Sequence, residues 1–166
     1  MPTTHIMLGG VPIVLHAGAP ELSEEPIGGS SVLRMSDGAG VKMQHWERMA
    51  GTISGAGWIP PGLDGLDYSK PLELRSTQVN AIHGEELQFR LTGTPRPDVA
   101  PWADALVGDQ WRRVPSAFAD GVLTVTPLAG ATLYRACWLP VYSVFANRPP
   151  KTQSTAHGWS IAWEEA

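Results

Sequence analysis

Residues 31–68, SVLRMSDGAGVKMQHWERMAGTISGAGWIPPGLDGLDY, join strand alternation, a tight turn and a proline-rich apolar loop in one stretch. Val32-Leu33-Arg34-Met35 and Val41-Lys42-Met43-Gln44 alternate apolar and polar residues on either side of Ser36-Asp37-Gly38-Ala39-Gly40. Alternation at period two marks strands, and Asp-Gly marks the turn between them, so a β-hairpin is expected. One face should be buried, with Val41 and Met43 inward and Lys42 and Gln44 outward. His45 to Met49 can continue the strand or form a helical turn, and Thr52 to Gly55 is a short strand. Trp58-Ile59-Pro60-Pro61-Gly62-Leu63-Asp64-Gly65-Leu66-Asp67-Tyr68 cannot be helical, because its prolines and glycines forbid it. A loop so rich in apolar side chains must pack on its own domain or on a partner.

Working outward, residues 4–15 read as a second hairpin around Gly9-Gly10, with Pro12 at an edge or on an outward-facing amide. Residues 17–29 look like an irregular surface loop. Downstream, strands are expected at 71–75, 86–91, 105–108, 110–114, 122–125, 133–142 and 159–163. Residues 79–84 fit no single pattern. Asp120-Gly121 and Leu128-Ala129-Gly130 mark turns, and residues 147–158 read as a long exposed loop. Residues 94–101, with three prolines, form the best internal boundary. It divides the chain into 1–97, with hairpins and the apolar loop, and 98–166, unless 1–166 is one continuous domain. Gly 18 and Pro 15 make about a fifth of the 166 residues, against about 12% in ordinary chains, and both disfavour helices. The expected class is all-β, an antiparallel β-sandwich or barrel-like fold.

Leu128-Ala129-Gly130-Ala131-Thr132-Leu133-Tyr134 places Leu six residues and Thr two residues before a Tyr that opens a strand. This resembles the tyrosine corner of fibronectin type III and immunoglobulin-like sandwiches, where the hydroxyl is tied to the preceding backbone turn. A different sandwich with a core Tyr fits the same residues.

Composition narrows function by exclusion. The net charge is −4 and Arg112-Arg113 is the only basic doublet, so no nucleic-acid footprint is expected. Cys137 is alone, so no intrachain disulfide can form, and its apolar neighbours point to a buried, inert thiol. The N-terminus lacks a signal-peptide pattern and no apolar run is long enough for a membrane span, so synthesis in the cytoplasm without classical export is expected. His5, His16, His45, His83 and His157 show no ligand spacing, although His83-Gly84-Glu85-Glu86 gathers several ligand types at one turn. Asp64 and Asp67 are too few for Ca²⁺. Ile53-Ser54-Gly55-Ala56-Gly57 lacks the first Gly of a nucleophile elbow. Gly38-Ala39-Gly40 and Gly55-Ala56-Gly57 read as lone Gly-x-Gly turns outside any βαβ context. No catalytic residue, metal or cofactor is expected, and the protein is read as a non-enzyme. The seven Trp carry the binding hypotheses. Trp58 and Trp102 sit beside prolines in loops and Trp46 at a strand end, where an indole can stack on a sugar or anchor a protein contact. Trp111, Trp138, Trp159 and Trp163 lie in strand patterns and are expected in the core. The expected interaction set is Trp46, Trp58, Ile59, Leu63, Leu66, Tyr68 and Trp102.

Residues 28–38 (GGSSVLRMSDG), 42–46 (KMQHW), 52–58 (TISGAGW) and 60–63 (PPGL) resemble small tail proteins of long-tailed, siphovirus-like bacteriophages. The resemblance covers roughly residues 26–75, plus the strand and acidic end at 159–165. It implies a virion structural protein of the tail tip or baseplate, in a homo-oligomeric ring around the tail axis, with other virion tail proteins as partners. It implies no active site. The chain departs from the tail-tube pattern, lacking a clear long helix and a long inter-subunit hairpin arm. The alternative is a carbohydrate-binding module or receptor-binding accessory domain that meets a host surface glycan through exposed Trp. A small hydrolase of unfamiliar type is a third, weaker fit.

Overall fold

The computed structural model describes residues 3–166. The N-terminal segment forms β1 (Met7–Leu8), β2 (Val11–Pro12), a single 3-10 turn (Leu15–Ala17), β3 (Glu21–Arg34) and β4 (Gly40–Gly57). There follow β5 (Leu72–Arg75), β6 (Asn80–Gly84), β7 (Gln88–Arg90), β8 (Trp102–Val107), β9 (Gln110–Val114) and β10 (Ser116–Ala119). The chain ends with β11 (Val122–Val125), β12 (Leu133–Trp138), β13 (Val141–Ala146), β14 (Lys151–Gln153) and β15 (His157–Glu165). The architecture is all-β, and its main ladders are antiparallel. Two compact units arise among the described residues, 3–7 with 74–142 and 8–73 with 143–166. The proline-rich segment 94–101, the expected boundary, lies inside the first unit.

The first unit is a β-sandwich. One sheet runs β6-β12-β8-β9 and the other β10-β11-β7. Ala103, Ala105 and Ala136 on the four-stranded sheet face Phe89, Leu123 and Val125 on the three-stranded one, and Val114 and Tyr134 complete the core. Small residues opposite large ones let the inner faces interdigitate. The Leu128 N–H donates to the Tyr134 hydroxyl at 3.2 Å, the bond that defines a tyrosine corner. If β12 is the Tyr-bearing strand of an immunoglobulin-like sandwich, β8 is its neighbour on one side, as that order requires. On the other side, where the following strand would lie, stands β6, which precedes every other strand of the sandwich in sequence. Asp120 and Gly121, both at positive φ, turn β10 into β11.

Residues 94–101 are tied down by a buried cation. Arg96 is 2% exposed; it donates to both carboxylate oxygens of Asp98 at 2.7 and 2.8 Å and to the carbonyls of His5 and Ser76 at 3.0 Å each. A buried guanidinium is tolerable because its donors are satisfied in this way. Cys137 is buried beside Asp104, and burial pushes its thiol up.

In the second unit β15 is the axis, flanked by β4 on one side and by β13 and β14 on the other, with β3 outside β4. Trp159, Ile161 and Trp163 alternate inward along β15 and lie opposite Gly55, Ile53 and Gly51 of β4. A Cβ at Gly55 would press against the Trp159 indole, and one at Gly51 would collide with the Ser23 carbonyl and press against the Trp163 indole, so both rings lie over residues without side chains. The Trp159 indole N–H donates to the Ala17 carbonyl at 2.9 Å. Gly55-Ala56-Gly57 is therefore strand rather than the expected turn. Two other expected loops also gain structure by pairing: residues 21–29 of the expected loop 17–29 pair with β4, and Lys151–Gln153 pairs with the start of β15.

Both units offer a stability test. Trp163→Ala should lower unfolding free energy by about 3–5 kcal/mol, the usual cost of emptying a large aromatic site, as read by urea denaturation. The hydrogen bonds from Arg96, with its charge, hold the Asp98 carboxyl below its ordinary value. A depressed carboxylate stabilises above its unfolded pKa and loses that contribution as pH falls through the folded one. The midpoint of thermal unfolding should therefore fall below about pH 4, and less steeply in Asp98→Asn than in the parent chain.

Candidate interaction surface

The hairpin of β3 and β4 is far longer than its turn suggests. The Ala39 N–H donates to Asp37 Oδ1 at 3.0 Å, and Gly38 takes a positive φ. From this turn the ladder runs unbroken in sequence to Glu21↔Ser54, apart from one register shift at Gly29/Ser30. There Ser30 pairs with Gln44 and Gly29 with Trp46, leaving His45 as the extra residue of a β-bulge. β15 pairs β4 only from Ala50 onward, so residues 30–48 extend past the sheet, and each of them is exposed.

Val41 and Met43 do share a face, as expected, but they are not buried: they are 46% and 42% exposed. Directly paired residues lie on one side of a hairpin. Leu33 with Val41, Ser31 with Met43 and Gly29 with Trp46 thus form one face, while Val32 with Lys42 and Ser30 with Gln44 form the other. The first face carries Leu33, Val41, Met43 and Trp46 with Ser31 between them, and the Trp46 indole lies over Gly29, where a Cβ would collide with it. Alternation shows which side chains share a face; it does not supply a layer to cover that face. The long hairpin arm that was expected to be missing is present.

A second apolar surface sits where β4 ends. The Ile59 N–H donates to the His16 carbonyl at 3.0 Å, which sets Trp58 and Ile59 beside the 3-10 turn. Trp58 is 80% exposed and Leu15 78%. Leu15 gave no signal in the sequence, since it reads as the end of a hairpin strand. The rest of the loop is anchored within the chain. Leu63 is fully buried, and the Tyr68 hydroxyl donates to its carbonyl at 2.6 Å. Leu66 is half-buried against Gly9, whose positive φ and missing side chain permit the approach. Lys151 donates to Asp64 at 2.6 Å, with Arg148 at 3.9 Å. Of the expected loop residues, Trp58 and Ile59 face outward and Leu63, Leu66 and Tyr68 hold the loop down. Trp102 is not in a loop: it opens β8, half-buried, with the Arg113 guanidinium 5.0 Å from its ring.

The ionisable groups of this loop are paired off rather than gathered. Asp67 accepts from Ser69 and meets Lys70, while Asp64 faces Lys151. Among the described residues no group of three or more His, Cys, Asp or Glu could hold a metal ion, and no helix is long and apolar enough to cross a membrane. A groove of 420 Å³ in the second unit is lined by Tyr68, Phe145, Asn147, Trp163 and Glu164, among others, without a nucleophile–base pair. No protein-family model, curated protein or solved structure matches the chain.

The Lys151 hydrogen bond holds the Asp64 carboxyl below its ordinary value. Its hold on the loop is thus complete above about pH 4 and is lost as pH falls through the depressed value. Asp64→Asn should lower the amide protection of residues 62–68 at neutral pH, measured against the intrinsic exchange rate at each pH, to the level the parent chain reaches only in acid. Unchanged exchange in the variant would show that Leu63 and Tyr68 suffice.

Proposed function

We propose that this chain is a structural, non-catalytic subunit of a bacteriophage tail, at the tail tip or baseplate, that works by assembly into a homo-oligomeric ring with other tail proteins. It would be made in the host cytoplasm and reside in the virion. The observation that carries the assembly reading is the arm: residues 30–48 are all exposed, and Leu33, Val41, Met43 and Trp46 line one face. A two-stranded hairpin with neither face covered is marginally stable at best in water. Several hundred square ångströms of contiguous apolar surface on a soluble domain mark an interaction site. A neighbouring subunit that covers the arm removes both problems at once. The corner of Leu15, Trp58 and Ile59 adds an indole anchor on the same unit, and a few such anchors can nucleate an interface of about 800 Å² per partner. The tail assignment itself rests on the resemblance of residues 26–75 to small siphovirus-like tail proteins.

The alternative, a glycan-binding module, draws on the exposure of Trp58. A sugar platform needs polar groups converging beside the ring to fix the hydroxyls. The 3-10 turn beside Trp58 carries the exposed Leu15 as well as His16; Leu15 with Ile59 makes the corner more apolar than polar, which favours a protein partner.

Val41→Asp with Met43→Asp changes side chains that are already exposed, so the monomer should keep its unfolding midpoint. Its mass in solution should stay that of one chain under conditions where the parent oligomerises, and it should not enter particles. Trp58→Ala should also leave the monomer folded and impair assembly. Normal incorporation of both variants into particles would overturn the reading, and binding of the isolated protein on a glycan array, lost in Trp58→Ala, would replace it.

A further inference from the structure

The outer face of the four-stranded sheet holds a cluster that assembly through the arm does not use. Pairing registers set His83, Arg135, Asp104 and Arg113 side by side across β6, β12, β8 and β9. The Asp104 side chain is 8% exposed. Arg113 Nε donates to one of its oxygens and Arg135 Nε to the other, each at 2.9 Å. Each guanidinium also lies over an indole, Arg113 on Trp102 and Arg135 on Trp111 at 4.4 Å to the ring centre. His83 meets the Trp111 ring edge-on at 5.4 Å.

The charge count is uneven, two guanidinium groups to one carboxylate. One bidentate Arg would satisfy Asp104, and a second brings like-charge repulsion to a partly desolvated site. A guanidinium carries five N–H donors, and Asp104 takes the Nε donor of each. Among the described residues the Nη groups of Arg113 and Arg135 have no hydrogen-bond partner. Stacking on Trp102 and Trp111 and the shared carboxylate fix both side chains, so the entropy of ordering a clamp is already spent before a ligand arrives. Fixed guanidinium forks with free donors match planar or tetrahedral oxyanions.

We propose that this face binds an oxyanion, a carboxylate or phosphate group, through the free Nη donors of Arg113 and Arg135, with Asp104 as the positioning residue. The reading is independent of assembly, because the cluster lies in the sandwich unit and the arm in the other.

The test is NMR of the arginine side chains of the full chain, titrated at low salt with inorganic phosphate, with glucuronate, and with glucose as the neutral control. The Arg113 and Arg135 signals should move saturably with the anions and stay still with glucose. Tighter binding of phosphate would assign the site to a free or esterified phosphate, and tighter binding of glucuronate to an acidic sugar. Arg113→Gln, at a side chain 64% exposed, should keep the fold and weaken binding roughly tenfold or more. Asp104→Asn separates positioning from simple charge: loss of orientation should weaken binding, whereas pure electrostatics would tighten it. The proposal fails if neither anion gives a saturable shift, or if Arg48, Arg90 and Arg112 shift as much as the cluster. It fails equally if Arg113→Gln binds like the parent, or if Asp104→Asn binds more tightly.

Discussion

The second unit depends on a match between two strands distant in sequence. Trp159, Ile161 and Trp163 on β15 meet Gly55, Ile53 and Gly51 on β4, so that each large ring is seated on a residue without a side chain. A one-residue slip would turn both indoles to the solvent face and leave the glycines uncovered. The register is therefore fixed by shape as well as by backbone hydrogen bonds. It also fixes the arm, because the part of β4 clamped by β15 is the root from which residues 30–48 extend. The Met49 N–H donates to the Glu165 carboxylate at 2.9 Å, just where the clamp ends.

Beyond that root the hydrogen bonds among the described residues stay within the hairpin, including backbone pairing, the Asp37 turn bond and the Gln44–Glu47 side-chain bond. The same residues that would make a good core strand, Leu33, Val41, Met43 and Trp46, stand on an uncovered face. Soluble domains seldom leave such a face open, and they guard exposed strand edges with charge, proline or bulges. This arm has Pro26 and the bulge near its base and its charges mainly on the opposite face, Lys42 and Glu47 among them. The guard is thus placed where β3 runs along the body of the sheet, and the distal apolar face is left open. An unguarded face retained on a rigid root is the physical basis for reading the arm as an assembly element.

How much of this was legible differs from element to element. Turn chemistry was: Asp37-Gly38, Gly9-Gly10 and Asp120-Gly121 all turn the chain where the residues said they would. The six-residue spacing of Leu128 and Tyr134 correctly announced the corner bond. Residues 21–29 were not legible as a strand, because Pro26, three glutamates and Gly28-Gly29 have low strand preference, and pairing with β4 overrides it. The glycines of β4 looked like turn signals, since the rings that sit on them come from more than a hundred residues away. The cluster around Asp104 was hidden for the same reason: Arg112-Arg113 reads as a basic doublet until β8 and β12 bring Asp104 and Arg135 beside it. At the docking corner, Trp58 and Ile59 were visible as apolar residues in a proline-rich loop, but which loop residues face inward was decided by Leu63, Tyr68 and Lys151.

Hydrogen exchange resolved along the arm tests most directly whether a neighbour completes it. In the isolated chain, amides of residues 30–34 and 40–48 should exchange quickly while those of residues 51–57, clamped by β15, stay protected. In the assembled particle the arm amides should become as protected as the clamp. Arm amides that exchange as fast in the particle as in the free chain would show that no neighbour covers the arm.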